Sequence, residues 1–243
     1  MDHLLIFYIL LFIVAVLYAS VGHGGASGYL ALMALFAVSP AMMKPTALML
    51  NLFVSLTSFI QFYRGRHFRW KIFLPLALAS VPMAFAGGLL TIEADVYKKI
   101  LGAFLLIPVL RFFLLPNIPV DQLRPARLDL SLLTGAGIGF LSGLIGIGGG
   151  ILLSPILLML RWTDQKQAAA ISALFIFVNS LSGLAGQLST GVSFGQDMIL
   201  WVAIAFAGGL LGAWLGALRF NLRLLKYVLA TVLLLAALKL LFS

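Results

Sequence analysis

The 243-residue sequence contains no cysteine, and charged residues make up only 9% of it. Without thiols there is no disulfide, thiolate metal site or thiol nucleophile. Carboxylates are scarce as well: Asp2, Glu93, Asp95, Asp121, Asp129, Asp164 and Asp197 are the full set, and each falls at a terminus or a turn. No carboxylate is therefore expected in the bilayer to bind a cation or relay protons as ion pumps do. No catalytic dyad, metal-ligating cluster or nucleophile–base pair can be assembled from the remainder. An enzyme is not expected, and no cofactor or metal is implied.

What fills the chain is apolar surface: 63% of residues are hydrophobic, with a mean hydropathy of +1.14. A soluble domain cannot hide that much, so the composition predicts an all-α integral membrane protein with the lipid bilayer as its partner. A β-barrel would show short alternating segments in place of long apolar runs. Met1-Asp2-His3 lacks the basic start of a signal peptide, so the first run is expected to stay as a membrane segment. The net charge of +9 sits mostly in short loops, which marks topology and no nucleic-acid surface.

Five apolar segments precede a proline-rich linker, at roughly 4–20, 26–38, 45–63, 72–91 and 98–115. Five more follow, at roughly 130–145, 150–161, 167–188, 197–218 and 224–242. The expected organisation is a first repeat over 1–115, a cytoplasmic linker over 116–129 and a second repeat over 130–243. The halves match in detail. Ala84-Phe85-Ala86-Gly87-Gly88-Leu89-Leu90 recurs letter for letter at Ala205-Phe206-Ala207-Gly208-Gly209-Leu210-Leu211, and Ala15 and Ala19 stand where the second half has Gly139 and Gly143. Five is odd, so the second copy should be inverted relative to the first.

Positive charge agrees with that inversion. The turn after the third segment holds Arg64, Arg66, Arg69 and Lys71, whereas its second-half counterpart, about 189–196, holds no Lys or Arg. With both termini outside, twelve cations fall in the cytoplasm. Only Lys44, Lys98, Lys99 and Lys239 fall outside. The second segment of each half is short: residues 26–38 would rise about 20 Å against a core of about 30 Å. Half-helices or re-entrant segments near the midplane are expected, and full spans could number six, eight or ten.

The chain is organised around Gly146-Ile147-Gly148-Gly149-Gly150, with a fainter copy, Gly22-His23-Gly24-Gly25, 124 positions earlier. Such clusters break helices, and a broken helix is tolerated in lipid only where protein or a polar cavity surrounds it. Helices restarting at Gly24 or Gly148 would present unpaired amides to an anion. The alternative is that these glycines only let helices pack closely. The ladders Gly135/Gly139/Gly143 and Gly208/Gly212/Gly216 are expected to be packing stripes of that kind.

Around the breaks, His23 could hold an anion, take up a proton or simply bond a freed carbonyl. Ser27, Ser142 and Ser154 flank them. Asn51, Gln61, Asn179 and Gln187, with Thr46, Thr57, Ser58, Ser172, Ser180 and Ser182, add neutral polar groups on the third segments that should face inward. Each is either substrate contact or interhelical glue. Ser39-Pro40 and Thr163-Asp164 are expected to cap those segments. Lys44 could attract anions at the outer mouth or snorkel to the interface.

The Gly146-x-Gly148-Gly149-Gly150 break followed by Pro155, its weaker first copy and the duplicated chain resemble the TauE/SafE sulfite exporter family, permeases of the four-toluene-sulfonate-uptake type. The resemblance implies an inner-membrane permease for a small anionic sulfur compound: sulfite, thiosulfate or an organosulfonate. The expected site draws on Gly22, His23, Gly24, Gly25, Ser27, Asn51, Gly146, Gly148, Gly149, Gly150, Ser154 and Asn179. The first copy departs from the second, with His23 for Ile147 and Ala26 for Gly150, so the site would be asymmetric. An anion channel or a membrane scaffold binding a partner protein are the alternatives, and a homodimer is an open possibility.

Overall fold

The structure, a computed structural model, describes residues 2–20, 24–114, 123–192, 194–195, 197–217 and 222–242. They form helices α1 (Asp2–Ser20), α2 (Ala26–Leu35), α3 (Pro40–Arg64), α4 (Trp70–Leu89), α5 (Ala94–Leu114), α6 (Leu128–Ile145), α7 (Gly150–Met159), α8 (Gln165–Leu188), α9 (Met198–Ala217) and α10 (Leu222–Phe242), with no strand among the described residues. α3, α4, α6, α8 and α9 are long and apolar enough to cross a membrane. α2 and α7, ten residues each, rise only about 15 Å and reach halfway. The chain is a multi-pass helical membrane protein.

Each element starts or stops for a local reason. Pro40 sits at the first helical position of α3, where a missing N–H costs nothing. Ser39 occupies the preceding cap position without a side-chain bond to the helix. At α8 the cap is Asp164 and not Thr163: its carboxylate accepts from the Gln167 amide at 2.8 Å. α6 begins at Leu128, two residues inside the stretch the composition suggests as linker; residues 116–122 of that stretch lie outside the described residues.

The glycines set the packing. A methyl group built on Gly135, Gly139 or Gly143 would strike the backbone at Leu76, Ser80 or Ala84. The four-residue ladder on α6 therefore lies backbone to backbone against a four-residue ladder on α4. Gly208 and Gly212 do the same on α9 against Phe12 and Val16 of α1. The packing-stripe expectation holds for these described positions.

The seven-residue sequence repeat has a physical reason here. Gly87 faces Phe140 of α6, while its neighbour Gly88 faces Gly183 of α8. Gly208 faces Phe12 of α1, while Gly209 faces Val54 of α3. In each half, one glycine of the pair admits the other half's first helix and the next admits its third. α3 also packs on α8, α5 on α10, α2 on α10 and α7 on α5. Exchanging α1–α5 with α6–α10 maps each of these pairings onto itself or onto another in the set. The halves are thus interleaved, and most of each half's contacts are with the other.

Candidate functional site

The two restarted helices begin alike. Gly25 precedes α2 with φ +93°, Gly149 precedes α7 with φ +78°, and neither helix start has a side-chain cap. These are left-handed conformations that an L side chain disfavours by about 1–2 kcal/mol. The second break has two further left-handed residues, Gly146 (φ +87°) and Gly148 (φ +75°). The first amides of each restarted helix have no carbonyl one turn back to bond, and the helix dipole leaves partial positive charge there. Gly22 and His23 lie outside the described residues.

The fold brings the two breaks together on one side chain. Asn51, in the middle of α3 and fully buried, lies between them. A methyl on Gly24 would sit 2.8 Å from Asn51 Oδ1, and one on Gly148 would sit 2.5 Å from Asn51 Nδ2. Either methyl would also sit 2.8 Å from Ile176 Cγ2 of α8. Asn51 Nδ2 donates to Ser180 Oγ at 3.2 Å and lies 3.5 Å from the Ile147 carbonyl, freed by the break. Its Oδ1 is buried with no partner. Gly150 packs against Ile176 and the Ser172 carbonyl, and Gly146 against the backbone of Lys44.

The remaining candidates divide. Ser154 bonds Ser172 at 2.7 Å and the Gly150 carbonyl at 3.0 Å, tying α7 to α8. Ser27 bonds the Tyr18 hydroxyl at 2.7 Å, tying α2 to α1. Asn179 donates to Phe175 O in its own helix at 2.8 Å, and its buried Oδ1 has no partner. Ser182 serves as glue, donating to Val81 O at 2.6 Å. Ser55 and Ser58 follow Asn51 down one face of α3; both hydroxyls are buried and unpartnered, as are both polar atoms of Gln187 on α8.

One expectation needs correction. Gln61 is exposed and does not face inward. It lies one turn from Arg64, at the charged end of α3, where exposing an amide costs little. Lys44 is half-buried and donates to Leu90 O at 3.1 Å, at the end of α4.

Tyr97 was not suspected from sequence. It is buried on α5 and donates to Ile145 O at 2.9 Å, satisfying one of the carbonyls that α6 loses at the break. It sits among Glu93, Asp95, Lys98 and Lys99 and so reads as an interfacial aromatic. Tyr29, whose ring stacks under Gly25, was also missed, because an apolar helix gives no signal for it.

A multi-pass helical bundle with two glycine-broken half-helices meeting at a polar, buried junction defines a membrane transporter. The sulfite exporter TauE/SafE family profile matches residues 7–240, and this chain belongs to that family. It is 35% identical over 238 residues to the probable membrane transporter protein y4hK of Sinorhizobium fredii, covering 95% of each chain. It is 28% identical over 240 residues to the probable membrane transporter protein YjnA of Bacillus subtilis, covering 90% of this chain and 92% of that one. A 74-residue stretch, 30% of this chain and 16% of the relative, is 34% identical to the sulfite exporter TauE/SafE family protein 1 of Arabidopsis thaliana. No solved structure matches. The protein is a transporter and not an enzyme.

Proposed function

We propose that the protein is an inner-membrane permease for a small sulfur-containing anion (sulfite, thiosulfate or an organosulfonate), bound where the two breaks meet and released by alternating access. One observation carries this reading: both restarted helices converge on Asn51 with uncapped left-handed glycines at their starts. Open amides backed by two helix dipoles favour a compact oxyanion and disfavour a cation. The unpartnered polar atoms of Asn51, Ser55 and Ser58 on one face of α3 support a path from the junction toward the Arg64 end. An inside-negative potential drives each negative charge outward by about 2.3 kcal/mol per 100 mV, so export is the default direction.

The exchange symmetry of the helix pairings supports inverted repeats 1–115 and 130–243. Topology has a second support. The turns holding Arg69, Lys71 and Arg124 surround one cavity, while Lys44 reaches Leu90 at the far end of α4. That grouping agrees with a cytoplasmic face rich in arginine and termini on the periplasmic side. Because the halves interleave, the units that rock are better drawn as α4 with α6 and α8 against α9 with α1 and α3. Full burial of Asn51, Ser180 and Ser154 is what an occluded carrier has, and it argues against a standing pore.

The test is flux of labelled sulfite, thiosulfate and ethanesulfonate in proteoliposomes. Saturable flux with counterflow is expected for at least one of them, and it should be lost in Asn51→Asp, which has the same shape but places a carboxyl at the junction. Absence of flux for all three, from protein that is folded and inserted, would sink the proposal.

A further inference from the structure

A second polar feature lies away from the junction. An open cavity of about 650 Å³ is bordered by three separate turns: Phe68–Ile72 before and at the start of α4, Leu123–Ala126 before α6, and Trp162 with Gln167 around the start of α8. Arg69, Lys71 and Arg124 supply three cations to its wall. The ion pairs among the described residues are Lys98–Asp95 and Arg127–Asp129, so none of these three has a carboxylate partner there. Among the described residues the nearby acids are engaged, Asp129 with Arg127 at 2.6 Å and Asp164 as the cap of α8.

The rest of the wall also suits an anion with an apolar body. Gln167 and Trp162 are 94% and 95% buried, from exposures of 6% and 5%. Both line the cavity, and neither side chain makes a hydrogen bond within the described residues. They are ready donors in a partly dry place. α4 starts here without a side-chain cap on its first amides, which adds positive potential. The walls are aromatic: Phe68 holds Trp70 edge-on at 4.8 Å and packs on Phe73 at 5.3 Å. Cations, open donors and rigid rings around one cavity match an oxyanion group carried on a hydrophobic tail.

We propose that this cavity is a second binding site, separate from the break junction, for the phosphate or sulfonate head of an amphipathic anion. Two sources share that chemistry: an anionic phospholipid of the surrounding leaflet, and a soluble organosulfonate collected before transport. The site stands whether or not the junction carries an anion.

The test uses the full-length protein with Trp201→Phe and Trp214→Phe, which leaves Trp70 and Trp162 as reporters. In phosphatidylcholine nanodiscs it is titrated with hexanesulfonate, and in a second arm the discs carry increasing phosphatidylglycerol. A saturable change in emission is expected from at least one anion, and the responding arm names the source. The same response must persist in Asn51→Asp, which disables the junction alone. Arg69→Gln/Lys71→Gln/Arg124→Gln should weaken apparent affinity by about tenfold or more, because charge-assisted bonds are lost. Should that variant fail to insert, Arg69→Gln and Lys71→Gln singly, both at exposed side chains, should each weaken it severalfold. No response beyond that of hexanol or phosphatidylcholine, or wild-type affinity in the charge variants, would overturn the proposal.

Discussion

Replacing Gly148 by alanine adds one methyl group at the point where the two breaks meet. Gly148 has φ +75°, and holding alanine in the left-handed region costs about 1 kcal/mol or more. The new methyl would stand 2.5 Å from Asn51 Nδ2, 2.8 Å from Ile176 Cγ2 and 3.0 Å from Ser180 Oγ. Asn51 must withdraw, which breaks its 3.2 Å bond to Ser180. That strands a buried amide at a further cost of about 1–3 kcal/mol. The expected loss is about 2–4 kcal/mol, or about 5–15 °C in Tm at this chain length. Gly137→Ala is the matched control. Gly137 is an exposed position on α6 with nothing within 4 Å of the new methyl, and alanine there should be neutral or stabilising by up to about 1 kcal/mol. Thermal unfolding of both variants in the same detergent reads the difference directly. A Gly148→Ala Tm within about 2 °C of wild type would refute the strained, closely packed junction.

Other substitutions probe other levels of the structure. Gly139→Leu drives a side chain into the Ser80 backbone and should cost more than about 3 kcal/mol, seen as loss of monodisperse protein in size-exclusion chromatography. Asp164→Ala removes a bonded cap and should cost about 1 kcal/mol, whereas Ser39→Ala, where no cap bond forms, should cost a few tenths at most. Tyr97→Phe deletes the donor to Ile145 O. It should cost about 1–2 kcal/mol of thermal stability by leaving a carbonyl unpaired at the break.

The ten elements were legible because each apolar run is bounded by charge, proline or glycine. The boundaries moved where hydropathy and hydrogen bonding part company. α5 starts at Ala94, not at 98: the helix runs on past the edge of the lipid-like stretch, and its first turns carry Asp95 and Lys98, paired at 3.3 Å. α3 begins at Pro40, where the Ser39-Pro40 pair is expected to start it, and passes through Pro45, although the apolar run itself starts only at 45. The breaks were legible from glycine density, and Asn51 was among the candidates. That Asn51 joins the two breaks was not legible, because it depends on how α3 crosses α8, and spacing along one helix carries no record of its partner. For the same reason, bulky residues at Gly148 or Gly149 do not separate a transporter from a scaffold. A methyl on Gly149 would already stand 2.8 Å from Ile138 and 2.9 Å from Phe175, so a large side chain there harms the fold in either case.

The interleaving of the two halves has a consequence for biosynthesis. When α4 leaves the ribosome, the surfaces at Gly87 and Gly88 have nothing to close on until α6 and α8 are made, and α1 waits longer still for α9. The first half should therefore linger in the membrane as an unfinished, protease-sensitive intermediate. Expressed as two separate fragments cut in the 115–122 segment, the halves should be degraded singly and survive together, because each is the template on which the other closes.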